Sequence, residues 1–450
     1  MTTHDTAPHT AGTARKHRGL LNPARAAARI RTGTPRAGTP SVPGPEAVLG
    51  PQAQPLTDLD RVGRMIGEAR VVGMGEASHS AHEFFTLKQR LFAHLVTHKS
   101  FTTFALETSW STGLRLNAYV QHGIGDPERI MEQEFQGQYV FWNTEEYLDL
   151  IRWMRHHNIS HPGDPQLRFA GIDLGYPGPE AFTQVVDYAA ACRPGLAHRI
   201  EELYSGLRPA EGTQAGPWMR GQLTHDPARR REQAESAREA LHLLYDEGRP
   251  GPDHGGARSY DWAVQNATAI TQTFTAYAFP DEDFAQRMRY RDRVMAANTA
   301  WLLRRQHGGT LLAAHNSHVA YTSDNPRQFP QPAGGVLREL LGSDYVNIGM
   351  TFNRGTVNAL PDLAAQEPRT YTVVPAPDGH NDHVLDQVAA GPGFALDLRT
   401  AGPAAHTWLN RPRPTRSCGL YWPPDDPDVA LGRSYDILVH LHEVEAARLR

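Results

Sequence analysis

The chain has 450 residues and a formal net charge of −4, with 40% hydrophobic and 21% charged residues. That length supports one large domain or two ordinary ones around a buried core, and the charge balance offers nothing to attract nucleic acid or an anionic membrane, so small molecules are the expected partners. Its two cysteines, Cys192 and Cys418, form no C-x-x-C pair, which excludes a disulfide framework or thiolate cluster and points to a reducing compartment.

Residues 1–50 are rich in Pro, Gly, Ala and Thr and carry seven Arg or Lys against two acids. Such a composition has too little apolar surface to offset ordering entropy, so a disordered tail is expected, followed by a catalytic domain over 51–450. The N-terminus lacks the apolar core of a secretory signal, and no run approaches the ~20 apolar residues that span a bilayer. The expected location is cytoplasmic.

Beyond Asp58, short apolar runs alternate with helical stretches, the pattern of β-α units. Strands are expected at Ala69–Gly75, Phe101–Glu107, Leu167–Asp173, Thr310–Ala314, Tyr345–Phe352, Phe394–Leu398 and Tyr435–Leu441. Helices are expected at His82–His98, Glu145–His156, Pro179–Ala191 and Phe284–Gln306. The strand runs are continuous rather than alternating, as in strands covered on both faces. The fold class is therefore α/β, a mostly parallel sheet flanked by helices, with a charged, helix-rich segment at 195–280 read as an added helical subdomain, an insertion or lid. Its Gly/Pro-rich break falls at Asp246–Ala257.

The first chemical constellation is Gly73-Met74-Gly75-Glu76-Ala77-Ser78-His79, directly after a strand. Its glycine spacing approaches a dinucleotide fingerprint, but Glu76 would set a carboxylate beside the phosphates. The alternative is a tight turn that presents Glu76 and His79 together, because residues three apart share a helical face. A carboxylate beside an imidazole fixes its tautomer and raises its basicity, as a general base requires.

The second constellation, Ala314-His315-Asn316-Ser317-His318, places two histidines at another strand end. Two further strands end in acids, Glu107 and Asp173. There is no G-x-S-x-G elbow and no G-x-x-x-x-G-K-[ST] loop, which disfavours a serine hydrolase and nucleotide phosphoryl transfer. No metal or other cofactor is expected, although a metal held by His79, His315 and His318 with Glu76 or Glu107 stays open as an alternative.

These residues carry a family resemblance. Gly75-Glu76-Ala77-Ser78-His79, His82-Glu83-Phe84-Phe85-x-x-Lys88, Phe104-Ala105-Leu106-Glu107, Phe141-Trp142-Asn143-Thr144-Glu145-Glu146, Phe169-Ala170-Gly171-Ile172-Asp173, Tyr290-Arg291-Asp292 and Ala314-His315-Asn316-Ser317-His318 occur in the order found in the erythromycin esterase family. The chain resembles that family from about residue 58 to 445, departing from it at Ser80, where Gly is common. The resemblance implies an EreA/ChaN-like fold and metal-free hydrolysis of a macrolide macrolactone, as in antibiotic inactivation. It also implies His79 as the base that activates water, Glu76 and Glu107 as orienting carboxylates, and His315 and His318 as completing the site. Lys88, Arg289 and Arg291 become candidate cationic partners or substrate contacts, and Trp110 and Trp142 candidate walls for a large lactone or polyketide. Members of the superfamily linked to succinoglycan and other natural-product biosynthesis leave other acyl or lactone chemistry, such as cyclisation or dehydration, as the alternative.

Overall fold

The computed structural model describes residues 45–248, 256–362, 365 and 367–450. Residues 1–44 of the expected tail, and most of the expected break at 246–257, lie outside the described residues. Residues 45–50 do not fit the tail assignment: Pro45–Leu49 is helical and Leu49 is buried in the core cluster that also holds Phe394 and Leu396, apolar burial that orders the segment.

Eleven strands occur among the described residues: β1 Gln54–Pro55, β2 Val71–Met74, β3 Phe101–Ser109, β4 Arg168–Asp173, β5 Gly309–Ala313, β6 Tyr345–Ala359, β7 Arg369–Val373, β8 Gly393–Asp397, β9 Arg413–Pro414, β10 Asp428–Val429 and β11 Ile437–Val444. Nine form one sheet in the order β1-β8-β11-β6-β2-β5-β3-β4, with β7 added on β6, while β9 and β10 make a separate ribbon. The six strands from β11 to β4 run parallel. β8 and β7 are antiparallel additions.

Every residue of β2, β3 and β5 is buried, as their unbroken apolar runs require for strands with helices on both faces. His82–Lys99 crosses from β2 to β3, and Phe284–Arg305 leads into β5. Thr144 starts the helix Glu145–Ser160 by accepting the Tyr147 amide hydrogen. The segment after β4 builds a helical layer in which Gly178–Cys192, Pro194–Tyr204, Pro227–Glu247 and Gly256–Ala278 share a core of Phe182, Ile200, Tyr204, Leu244, Ile270 and Phe274.

The chain passes from β2 to β3 and β4, then returns to insert β5 between β2 and β3. In a parallel sheet the carboxyl ends of all these strands open on one side, and a change of direction leaves a crevice there. Glu76, Glu107, Asp173 and His315 lie at or just after the ends of β2, β3, β4 and β5.

Candidate active site

The loop after β2 owes its shape to contacts with distant segments. The glycines of Gly73-x-Gly75 were expected to turn the chain, yet neither has a positive φ. They permit close approach instead: a Cβ at Gly75 would collide with Asn316 Oδ1, and one at Gly73 with the Tyr345 hydroxyl. Asn316 uses that space to bridge to β6, its side chain accepting from the Met350 amide at 3.0 Å and donating to the Met350 carbonyl at 2.6 Å. The loop is then clamped from three sides. Cys418 N–H donates to Ala77 O (2.6 Å), Ala447 and Asn358 N–H donate to Ser80 O (3.2 and 3.4 Å), and His82 N–H donates to Glu445 O (2.7 Å).

This clamp sets Glu76 and His79 three residues apart, with His79 Nδ1 2.9 Å from Glu76 Oε1. Lys88, one and a half turns into the following helix, binds the other oxygen of Glu76. Glu76 is fully buried and Lys88 nearly so. Burial pulls the Lys88 ammonium below its usual range, and the Glu76 carboxylate opposes that fall. Glu76 is thus the polar partner that Lys88 meets in the structure.

A second network joins the ends of β3 and β4 to the helix Phe284–Arg305. Arg291 Nη2 donates to Glu107 Oε1 at 2.7 Å and to Asp173 Oδ2 at 2.5 Å, and its Nε lies 3.0 Å from both Asp173 oxygens. Glu107 Oε2 accepts the His315 amide hydrogen at 2.9 Å. His318 stands between two carboxylates, Nδ1 2.7 Å from Asp292 and Nε2 3.3 Å from Glu107. Burial alone would strip its proton, but Asp292 and Glu107 prevail and push it up to about 10. Arg291 Nη1, 3.1 Å from His318 Nε2, opposes that charge. With two carboxylates against one guanidinium, we assign His318 as an imidazolium. Glu107 is driven well below its ordinary value: burial resists ionisation, and His318 and Arg291 outweigh it.

His315 differs. Its Nδ1 accepts the Ser317 amide hydrogen (3.2 Å) and lies 2.8 Å from the Ser317 hydroxyl. A ring that accepts through Nδ1 carries its proton on Nε2, and that nitrogen is buried without a protein partner among the described residues. Burial, then the neighbouring His79 and His318, hold His315 well below the usual histidine range. Its ring centroid is 4.9 Å from that of His79, which also packs against Trp142 at 5.2 Å and Phe141 at 6.3 Å.

The structure thus gathers Glu76, His79, Lys88, Glu107, Trp142, Arg291, His315 and His318, but not two other candidates. Arg289 is exposed, on another side of the helix from Arg291, since two residues turn a helix by about 200°. Trp110 is core: it packs against Trp262 and Trp301 and donates to Asn266 at 2.8 Å. Sequence reasoning assigned no role to Asp292, which holds His318, or to Tyr139, whose hydroxyl reaches Asp173 at 3.1 Å. Only the adjacency of Asp292 to Arg291 hinted at it. As for the alternative metal set, both His318 nitrogens are engaged by protein groups, so ligation there would break the network. Among the described residues, convergent metal-ligand groups lie elsewhere, at Asp60/His94/His98 and Asp386/His440/His442.

The sequence matches the erythromycin esterase family model over residues 96–444, most of the chain. The chain belongs to the erythromycin esterase family. The matched region carries Glu107, Asp173, Arg291, Asp292, His315 and His318 and begins after the Glu76–Lys88 segment. This erythromycin esterase family member is 25% identical over 323 residues to an Escherichia coli erythromycin esterase type II, covering 67% of this chain and 74% of that protein. A Bacillus cereus protein of known structure superposes with a TM-score of 0.81 at 28% identity, and a succinoglycan biosynthesis protein with 0.78 at 27%. Each covers 90% of this chain and 98% of its own. A mutant of the erythromycin esterase EreC in its open conformation shares the fold at 18% identity, with a TM-score of 0.67 over 89% of this chain and 97% of that one. No helix among the described residues is long and apolar enough to cross a membrane.

Proposed function

We propose that this erythromycin esterase family member opens a cyclic ester of the macrolide macrolactone class by direct attack of water, and so inactivates the antibiotic. The observation that carries this reading is the buried chain Lys88–Glu76–His79 beside a neutral His315. Glu76 holds the Nδ1–H of His79, which leaves Nε2 as the basic nitrogen. His79 Nε2 takes a proton from water while the oxygen attacks the lactone carbonyl. The Nε2–H of His315 donates to the oxyanion that forms; as a fixed donor in a site shielded from water it stabilises that charge strongly. The C–O bond to the ring alkoxide then breaks, and the proton passes from His79 to the alkoxide. The product is a ring-opened hydroxy acid, heavier by one water.

The Arg291 network acts at one remove: Glu107 positions the His315 backbone, and Asp292 and Glu107 fix His318. Trp142 and Phe141, both buried, pack against the His79 ring and hold it in place. No step requires a metal, and the reaction is expected to proceed in the presence of a chelator. Incubating the protein with macrolactones of several ring sizes and following mass tests the proposal: gain of one water supports it, and no conversion of any macrolactone overturns the substrate assignment. The likeness to the succinoglycan biosynthesis protein favours a second reading, in which the same site serves acyl or lactone chemistry in a biosynthetic pathway. Conversion of a linear hydroxy acyl substrate with loss of water, and no macrolactone opening, would select it.

A further inference from the structure

The strand β11 carries His440 and His442 two residues apart, so both side chains lie on one face of the sheet. His440 is completely buried. Its Nδ1 lies 2.9 Å from the Thr351 hydroxyl, and that hydroxyl donates onward to the Val439 carbonyl at 3.3 Å. With the Thr351 hydroxyl donating to Val439, we assign the His440 proton to Nδ1, which leaves a bare lone pair on Nε2. That nitrogen has no hydrogen-bond partner among the described residues.

Opposite stands Asp386, just past the short helix Asn381–Leu385. Its Oδ1 is 2.8 Å from His442 Nδ1, and its Oδ2 accepts from Asn353 at 2.7 Å. One ligand atom from each of Asp386, His440 and His442 lies within 4.8 Å of the others. Zn²⁺ bonds of ~2.1 Å place tetrahedral ligands about 3.4 Å apart, within reach of a modest closure by the partly exposed Asp386 and His442. The Phe394 ring, 5.6 Å from His440 and 6.1 Å from His442, walls the site. Arg354, at 4.0 Å from Asp386, is the nearby cation, and Glu443 offsets it at 3.2 Å.

We propose that Asp386, His440 and His442 form a binding site for a divalent transition metal of the Zn²⁺ class, separate from the His79 centre. Two imidazoles and a carboxylate suit such an ion, the Thr351 and Asn353 contacts orient its ligands as outer-shell groups do, and solvent can supply the remaining position. Bound there, the ion ties the segment after Asn381–Leu385 to β11 at one side of the sheet. The site is independent of the reaction assigned above.

The test uses the full chain, freed of metal and titrated with ZnCl₂ by calorimetry, with Co²⁺ absorption reporting tetrahedral ligation. Asp386→Asn and His440→Gln are compared with His94→Ala, which removes the other histidine cluster. One ion per wild-type chain, a raised melting temperature, at least about tenfold weaker binding in Asp386→Asn, and unchanged binding in His94→Ala are expected. Absence of saturable binding overturns the proposal, as does binding that survives Asp386→Asn. Should His440→Gln fail to fold by circular dichroism, the more exposed Asp386→Asn decides alone.

Discussion

Replacing Glu76 by Gln removes a buried carboxylate from between Lys88 and His79. Leaving one member of a buried ion pair uncompensated destabilises a protein by about 3–5 kcal/mol. Here Lys88 has an escape, since burial already lowers its proton affinity and Glu76 is what sustains it. Without Glu76 the amine sheds its proton, which holds the loss near ~3 kcal/mol. Adding Lys88→Met removes the stranded amine and should restore stability to within about 1.5 kcal/mol of wild type. Activity should follow a different course. Both Glu76→Gln and the double variant lack the carboxylate that orients His79, so both should turn over macrolactone about 10²–10⁴-fold more slowly. Urea unfolding followed by circular dichroism reads the first quantity, and mass-resolved ring opening the second. Additive stability losses would refute the buried pair, and full activity in either variant would refute the orienting role of Glu76.

Further outcomes follow from the same geometry. His79→Asn should abolish ring opening with an unchanged circular dichroism spectrum; near-wild-type turnover would remove the general-base assignment. The elevated His318 affinity contributes stability fully present below about pH 6.5 and lost as pH rises towards 10, on the order of a few kcal/mol, and His318→Gln should flatten that alkaline slope in thermal melts. Glu180, lifted to about 7 by burial and by Glu134, holds a proton that the unfolded chain releases, so stability falls as pH rises from about 4.5 through 7. Glu180→Gln should then stabilise the protein at pH 8 by roughly 1 kcal/mol after solvent screening, read as a higher melting temperature, and a lower one would contradict the assignment. Arg289→Ala should change stability by no more than about 0.5 kcal/mol and leave turnover intact, whereas Arg291→Ala should impair both.

The parallel strands were legible because burial on both faces makes each a continuous apolar run, and the site was legible because those runs stop at Glu107, Asp173 and His315. β7 was not. Its arginine, threonines and tyrosine carry little apolar signal, and it pairs as an antiparallel addition on the extended end of β6. Trp110 shows a different limit: an aromatic after a strand end reads alike whether it faces a cleft or packs with Trp262 and Trp301. Asp292 was hidden because its partner His318 is far away in sequence, and no local period marks such a pair. Nor does an apolar run reveal that Gly75 makes room for Asn316.

The clamp on the His79 loop ties the chemistry to the order in which the chain is made. Ser80 and His82 take their backbone partners from residues 358, 445 and 447. A nascent chain cannot pair β2 until β5 and β6 have been made, and the proposed general base His79 stays without its final support until nearly all of the domain has been synthesised. The same dependence exposes the centre to changes that never touch it. Substitutions or proteolytic nicks at 445–447 should lower ring opening while most of the sheet persists, although none of these residues touches the reacting groups.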